Sequence, residues 1–472
     1  MSPYILEILL AGAMKMRSKI VGLLLVSAAA VVTAQSASAA DLPVKAPVYK
    51  APIVAWDWTG PYVGAYVGVG VNHSRSRDPA NAITGDLEHT GYGFTGGGTI
   101  GYNYQLNWGI FGQKLVIGAE GDIGYFDTGR RVTDWNDNLI YNSKTDWLAT
   151  ARLRAGLTDG PNLNYVTAGY AAANIRDTNR NAATGFEVSS SKIESGWVVG
   201  TGVETMLGGG WSAKTESLYI NLDSGDTLAN ATNGRTIFTD RREFYTQRFG
   251  LNYQWGAGKN GPLPQTNWNG LFIGGVFGGV AGSARSTGLD ATPTNAGEIG
   301  NNGGGFTAGG QVGYNWMVTP KWVVGVEGDV SYLGIDHMSN NLANSVQSAA
   351  RAATTVDTSW IATARGRVGY STGPALIYAT GGGAWVNVKD TFWGPTAAVS
   401  SSKTLSGWAV GGGIETAMWT NWSMKTEYLY VEAGKGDTLT NGGFTVTTDH
   451  NIHMFRSALT YRFNGNPLAA RF

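Results

Sequence analysis

The chain has 472 residues, of which 69 are glycine, 14% are charged and 11% aromatic, and its formal net charge is zero. That length allows more than one domain, the poverty in helix formers points to strands, and a neutral charge balance gives no electrostatic footing for nucleic acid. With no cysteine a disulfide framework, a thiol nucleophile and a cysteine metal site are excluded, and no phosphate-binding or dinucleotide-binding context surrounds the glycines.

The N-terminus reads as an export signal over residues 1–39. Met14-Lys15-Met16-Arg17-Ser18-Lys19 is basic, Ile20 to Val32 is apolar, and Ala37-Ser38-Ala39 supplies the small residues of a cleavage site before Ala40. The apolar run is shorter than the roughly 20 residues that span a bilayer. Glu7 and a second apolar patch sit awkwardly ahead of it, so the expected start is Met14 or Met16. Residues 40–57, with Pro43, Pro47 and Pro52, read as an extended periplasmic leader. No later stretch is long and apolar enough for a membrane helix, so any entry into a membrane must be by strands.

Eight strands are predicted near 58–71, 91–104, 114–127, 144–157, 162–175, 191–204, 210–222 and 243–255. Long polar connections follow the odd strands, as from Asn72 to Thr90 and from Asp223 to Arg242, and short ones such as Asp159-Gly160-Pro161 follow the even strands. This rhythm fits an outer-membrane barrel with long loops outside and tight turns in the periplasm. Alternation supports it. Phe94, Gly96, Gly98, Ile100, Tyr102 and Tyr104 share one face, and Thr95, Thr99, Asn103 and Gln105 the other. Charge on the lipid face at the midplane costs about 2 to 4 kcal/mol, so strand charges are expected to point inward. Glu120, Asp122, Arg152, Arg154, Glu204 and Arg248 fall opposite apolar faces, and Lys214 and Glu216 share one side of the seventh strand, giving four acids against four bases.

After a joint at residues 256–267, with Pro262 and Pro264, the chain repeats itself about 210 residues on, a period far too long for a solenoid. Trp58-Thr59-Gly60 returns as Trp268-Asn269-Gly270, and Ser195-Gly196-Trp197 as Ser406-Gly407-Trp408. Eight more strands are predicted near 268–281, 303–316, 321–334, 355–370, 374–388, 402–415, 421–433 and 451–463, followed by a tail at 464–472. The charges return too, as Glu327, Asp329, Arg365, Arg367, Glu415, Lys425, Glu427 and Arg456. The expected fold is therefore all-β, an antiparallel up-and-down transmembrane barrel. Two tandem eight-stranded barrels at 58–255 and 268–463 are favoured over one sixteen-stranded barrel, because each copy neutralises its own lumen and the joint suits a tether. In a narrow lumen such charges must be paired, so an ion-pair plug is favoured over a charge-selective pore.

Catalysis finds little footing. His73, His89 and His337 lie in predicted loops without a recurring partner or nucleophile motif, and His450 and His453 point to opposite faces of one strand, which disfavours a metal site. No catalytic residue, cofactor or metal is expected.

The Trp58-to-Gly64 segment, the Gly93-Phe94-Thr95-Gly96-Gly97 strand, Glu120-Gly121-Asp122, and Ser195-Gly196-Trp197 ahead of Lys214-Thr215-Glu216 resemble the outer-membrane immunogenic protein family. These are small porin-like surface antigens related to opacity-type and OmpA-type barrels. The resemblance covers almost the whole mature chain, once per copy. It implies a cell outer membrane location and a non-enzymatic structural or surface-antigen role, with a porin-like one beside it. A sixteen-stranded diffusion porin is the alternative, and an adhesin or loop-based enzyme ranks below both. The implied partners are outer-membrane lipid and lipopolysaccharide, the barrel-assembly machinery and periplasmic chaperones, and host or surface ligands at the long loops.

Overall fold

The computed structural model describes residues 56–77, 86–128, 130–134, 139–181, 183–222, 227–230, 235–255, 263–289, 296–335, 353–393, 397–418, 421–441 and 444–463. The expected signal and most of the expected leader, residues 256–262 of the joint and the tail lie outside them. The first copy contains β1 (Gly60–Arg77), β2 (Asp86–Ile110), β3 (Gln113–Phe126), β4 (Arg130–Asp134), β5 (Leu139–Thr158), β6 (Asn162–Asn181), β7 (Glu187–Gly208), β8 (Trp211–Leu222), β9 (Thr227–Asn230) and β10 (Arg235–Gln254). The second contains β11 (Gly270–Leu289), β12 (Ala296–Met317), β13 (Trp322–Ile335), β14 (Ala353–Ser371), β15 (Ala375–Trp393), β16 (Ala398–Ala417), β17 (Trp422–Lys435), β18 (Leu439–Asn441) and β19 (Phe444–Arg462).

Each copy is its own antiparallel sheet, and each sheet closes. In the first, the order β1-β2-β3-β5-β6-β7-β8-β10 returns to β1, paired from Tyr62 opposite Gln254 to Arg77 opposite Phe238 with one register shift between Arg75 and Ser76. In the second, β11-β12-β13-β14-β15-β16-β17-β19 closes through Phe272 opposite Arg462 to Leu289 opposite Thr445. Two eight-stranded barrels therefore stand where a single sixteen-stranded closure was the alternative. Closure leaves the barrel strands no open edge, the condition for strands to cross a bilayer. The remaining short strands β4, β9 and β18 pair onto β5, β10 and β19.

The alternation read from sequence sorts the walls. Leu153 is 71% exposed on the outside while its neighbour Arg152 is 3% exposed inside. At the end with short turns, aromatic rings stack edge to face around the rim, Trp211 on Tyr253 and Tyr253 on Trp255, with Trp422 on Tyr461 and Tyr461 on Phe463 in the second copy. Such girdles mark a membrane interface. The tight turns need glycine: Gly160 and Gly373 adopt φ of +136° and +104°, and a Cβ on Gly373 would stand 2.6 Å from the Pro264 carbonyl oxygen.

Several strands run further than the sequence pattern indicates. The connection expected from Asn72 to Thr90 is largely strand, since β1 continues to Arg77 and β2 starts at Asp86. The connection from Asp223 to Arg242 contains β9 and the start of β10. His73 consequently sits within β1, opposite Glu243 and Thr90, and not in a loop. The physical reason is depth. A transmembrane strand needs only about 9 to 11 residues, whereas β5 and β6 have 20 each. Beyond the hydrocarbon both faces of a wall can be polar, so the alternating signal fades while the ladder continues.

Candidate functional site: the filled lumens

Eight charged side chains from five strands converge inside the first barrel. β3 supplies Glu120 and Asp122, β5 Arg152 and Arg154, β7 Glu204, β8 Lys214 and Glu216, and β10 Arg248. In each pair two residues two apart share a face, so one strand delivers both to the lumen. Arg152 is the hub: Nη2 lies 2.5 Å from Glu120 Oε1, 2.9 Å from Asp122 Oδ2 and 3.1 Å from Glu216 Oε1. Lys214 Nζ is 2.7 Å from Glu120 Oε2, Arg248 Nη1 2.8 Å from Asp122 Oδ1, and Arg154 Nη1 3.0 Å from Glu204 Oε2. The second barrel repeats the layer. Arg365 Nη2 meets Glu327 Oε1 at 2.6 Å and Asp329 Oδ2 at 2.9 Å, and Arg456 reaches Asp329 at 2.8 Å and Glu427 at 2.6 Å. Arg367 meets Glu415 at 3.1 Å, and Lys425 meets Glu327 at 3.2 Å. All sixteen are buried.

Neutral donors complete the shell. The Tyr62 hydroxyl donates to Glu120 (2.8 Å), Tyr165 to Glu216 (3.0 Å), and Ser212 Oγ and Asn252 Nδ2 to Glu204 (2.6 and 2.8 Å). The Arg154 guanidinium sits 4.7 Å from the Tyr62 ring centroid, a cation–π contact that Phe272 keeps beneath Arg367 at 4.6 Å in the second copy. These rings fit only because glycine faces them: a Cβ on Gly101 would be 2.2 Å from the Tyr62 hydroxyl, and one on Gly313 2.3 Å from Phe272 Cζ.

Further layers lie below and above. At the short-turn end Trp58 and Trp268 are fully buried, Trp58 Nε1 donating to Thr158 Oγ1 and the Gly160 carbonyl at 3.0 Å each, and Trp268 Nε1 to Ser371 Oγ at 3.1 Å. Above the charges an apolar layer that includes Phe126, Leu148, Ile175, Leu218 and Phe244 fills the first barrel, and Leu333, Ile361, Val386, Leu429 and Met454 help to fill the second. Above that, the copies part. Arg242 pairs with Asp177 and, at 2.8 Å, with Glu194, and its Nη1 donates to Ser143 Oγ at 2.7 Å. The matching place of Arg242 holds His450, whose Nε2 is 3.2 Å from Asp390, and that of Glu194 holds Leu405. Sequence reading missed Asp177, Glu194, Arg242, Asp390 and the inward role of His450; all but Glu194, which has the exposed Ile193 beside it, stand between polar residues that leave their direction unfixed.

Chemically, each lumen is a compensated ionic packing. Every acid of the sixteen lies within 3.1 Å of a cation, Glu216 at 3.1 Å from Arg152 and Glu427 at 2.6 Å from Arg456 among them. Among the described residues no cluster of His, Cys, Asp and Glu fits a metal ion. On the outer side, in the connection before β18, hydrogen bonds from Lys403 Nζ and Ser401 Oγ, at 2.7 Å each, hold the Asp437 carboxyl below the usual carboxylate range.

Comparison with known proteins places this architecture. The 31 kDa outer-membrane immunogenic protein of Brucella melitensis is 32% identical over 235 residues, which are 47% of this chain and 95% of the relative. The 22 kDa outer membrane protein of Rhizobium leguminosarum is 32% identical over 194 residues, 40% of this chain and 75% of the relative. Among solved structures, Ail, the attachment invasion locus protein of Yersinia pestis, matches at 15% identity and a TM-score of 0.17 over 39% of this chain and 98% of that one. The model of the outer membrane protein beta-barrel domain matches twice, at residues 26–255 and 257–463. One match falls on each closed sheet, and the chain belongs to the outer-membrane β-barrel family as a tandem pair of its domains.

Proposed function

We propose that this protein is a non-conducting, non-catalytic structural component of the outer membrane, a pair of plugged barrels that carries surface-exposed connections as an antigen-like display. The observation that carries the reading is the filling of both lumens. The indole, the ionic layer and the apolar layer lie in series, and an eight-stranded interior is only wide enough to be filled by side chains. Relatives named as immunogenic outer-membrane proteins support the display role. Lipid and lipopolysaccharide are the partners of the outer wall, the barrel-assembly machinery and periplasmic chaperones those of biogenesis, and host or surface ligands those of the long connections.

Planar-bilayer recording of the purified protein tests the reading. The expected trace lacks large stable openings. Stable openings of porin size would replace this function with diffusion of small solutes.

A further inference from the structure

The outside of each barrel is not uniform. Around most of the wall the outward residues are large and exposed, as at Ile100, Ile123, Leu153 and Val166. One band is different. On β7, β8 and β10, outward positions hold Thr201, Thr215, Ser217 and Gln247, where lipid contact would favour apolar groups. Gln247 Nε2 donates to Thr215 Oγ1 at 2.6 Å and Ser217 Oγ to Gln247 Oε1 at 2.5 Å, and Thr215 and Gln247 are fully buried although they face away from the lumen. What covers them is the matching band of the second barrel.

Contacts between the bands run from the periplasmic turns upward. Asn162 Nδ2 donates to the Ala417 carbonyl (2.8 Å) and Thr416 Oγ1 to Asn164 Oδ1 (2.8 Å), Val203 and Ala213 pack with Ala375 and Ile414, and Thr201 Oγ1 bonds Ser457 Oγ (3.0 Å). Higher up, Tyr245 stacks on Phe455 at 6.2 Å and enters a notch in the opposite wall. A Cβ on Gly279 would be 2.7 Å from Tyr245 Cδ1, and one on Gly304 3.2 Å from Tyr245 Cε2. Periplasmic turns meet periplasmic turns, so both barrels point the same way, as two barrels in one bilayer must.

We propose that this band is a lateral docking surface whose occupant is the other barrel of the same chain, and that the two copies have diverged into unlike, complementary faces. Small side chains that permit close approach and hydroxyl or amide groups that bond across it are what associate segments in lipid, where apolar surface alone gives no preference. The divergence is visible at the notch. Gly279 and Gly304 of the second copy correspond to Val69 and Tyr92 of the first, and Tyr245 corresponds to His453. Two first-copy barrels brought together in this way would drive Tyr245 onto Val69 and Tyr92, whereas the pairing within the chain gives Tyr245 its glycines and sets His453 against Tyr92, ring centroids 5.0 Å apart. The surface holds whether or not the lumens conduct.

The absence of cysteine from the chain makes the test direct. The full chain, with a protease site inserted in the joint, is made with Thr201→Cys and Ser457→Cys, oxidised in outer membranes, cleaved, boiled and run without reductant. The halves are expected to stay linked at least about tenfold more than with Leu153→Cys and Val330→Cys, which face away from the band, since disulfides form only at short Cβ separations. Asn164→Cys with Thr416→Cys repeats the measurement at the periplasmic end, should the first pair disturb folding. Adding Gly279→Leu, which suits lipid but fills the notch, is expected to abolish the link while each half keeps its heat-modifiable migration. Absence of linkage at both designed pairs, equal linkage at the control pair, or linkage between two chains overturns the proposal; full linkage in the Gly279→Leu protein overturns the complementary notch.

Discussion

At the scale of single residues, the lumen charges divide sharply from the surface ones. Arg152 holds three carboxylates in a site closed to water, so Arg152→Met leaves Glu120, Asp122 and Glu216 facing one another without their hub. Breaking a buried network in this way costs about 3 to 5 kcal/mol. The exposed pair Arg176–Asp146, at 3.3 Å, is the contrast; Arg176→Ala is expected to cost less than about 1 kcal/mol. Heat-modifiability in detergent, read as a shift of the unfolding midpoint, measures both, and equal shifts would contradict the plug. Most of the charges were legible because they sit in strands whose other face is apolar, as with Arg152 beside Leu153; Lys214 and Glu216, with Thr215 and Ser217 on the other face, were legible only as a pair sharing one side. Their partners Tyr62, Tyr165 and Ser212 were not, since a hydroxyl on a strand carries no directional signal until its neighbour from a distant strand is known. Phe272 in place of Tyr62 makes the same point: the second copy keeps the ring over its arginine and gives up the hydroxyl, a substitution that no count of charges detects.

At the scale of elements, each barrel is sealed by pieces with separate tasks. The Trp58 indole closes the short-turn mouth ahead of β1, and Trp58→Ala is expected to destabilise the first barrel by about 3 to 5 kcal/mol, as loss of a large buried aromatic does. Conductance should stay absent, because the ionic layer above is intact; channel activity in this variant would assign the seal to the indole instead. Outside, Leu153→Arg on β5 is expected to cost about 2 to 4 kcal/mol by setting a guanidinium against lipid, seen as a lower yield of heat-modifiable protein. The copies also share irregularities. Register shifts occur at Thr145/Trp147 in β5 and at Thr358/Trp360 in β14, the same place in each copy, and such bulges raise local twist. The strands were legible in their lower halves, where lipid and lumen impose opposite chemistries on alternate residues. Their upper halves, such as Asn72 to Arg77 in β1, were read as loop because polar residues there meet no lipid.

At the scale of the whole molecule, the duplication was the clearest feature of the sequence, while the closure of each copy rests on pairings between β1 and β10 and between β11 and β19, which join residues nearly a full copy apart and leave no local trace. Because the first sheet closes without help, residues 40–258 made alone are expected to give a heat-modifiable barrel; a product that never shows folded migration would mean that the second copy is required for closure. The polar band was equally hidden, since Thr201 and Gln247 look like ordinary strand residues until their direction is known. One further property follows from the length of the walls. With strands of about twice the length that hydrocarbon requires, a large part of each ladder extends beyond the hydrocarbon, and under the proposed display role an antibody or phage approaching the cell meets paired strands as well as the connections between them. Epitopes on such a sheet join residues from neighbouring strands, and sera raised against the folded protein are expected to lose much of their binding once it is boiled.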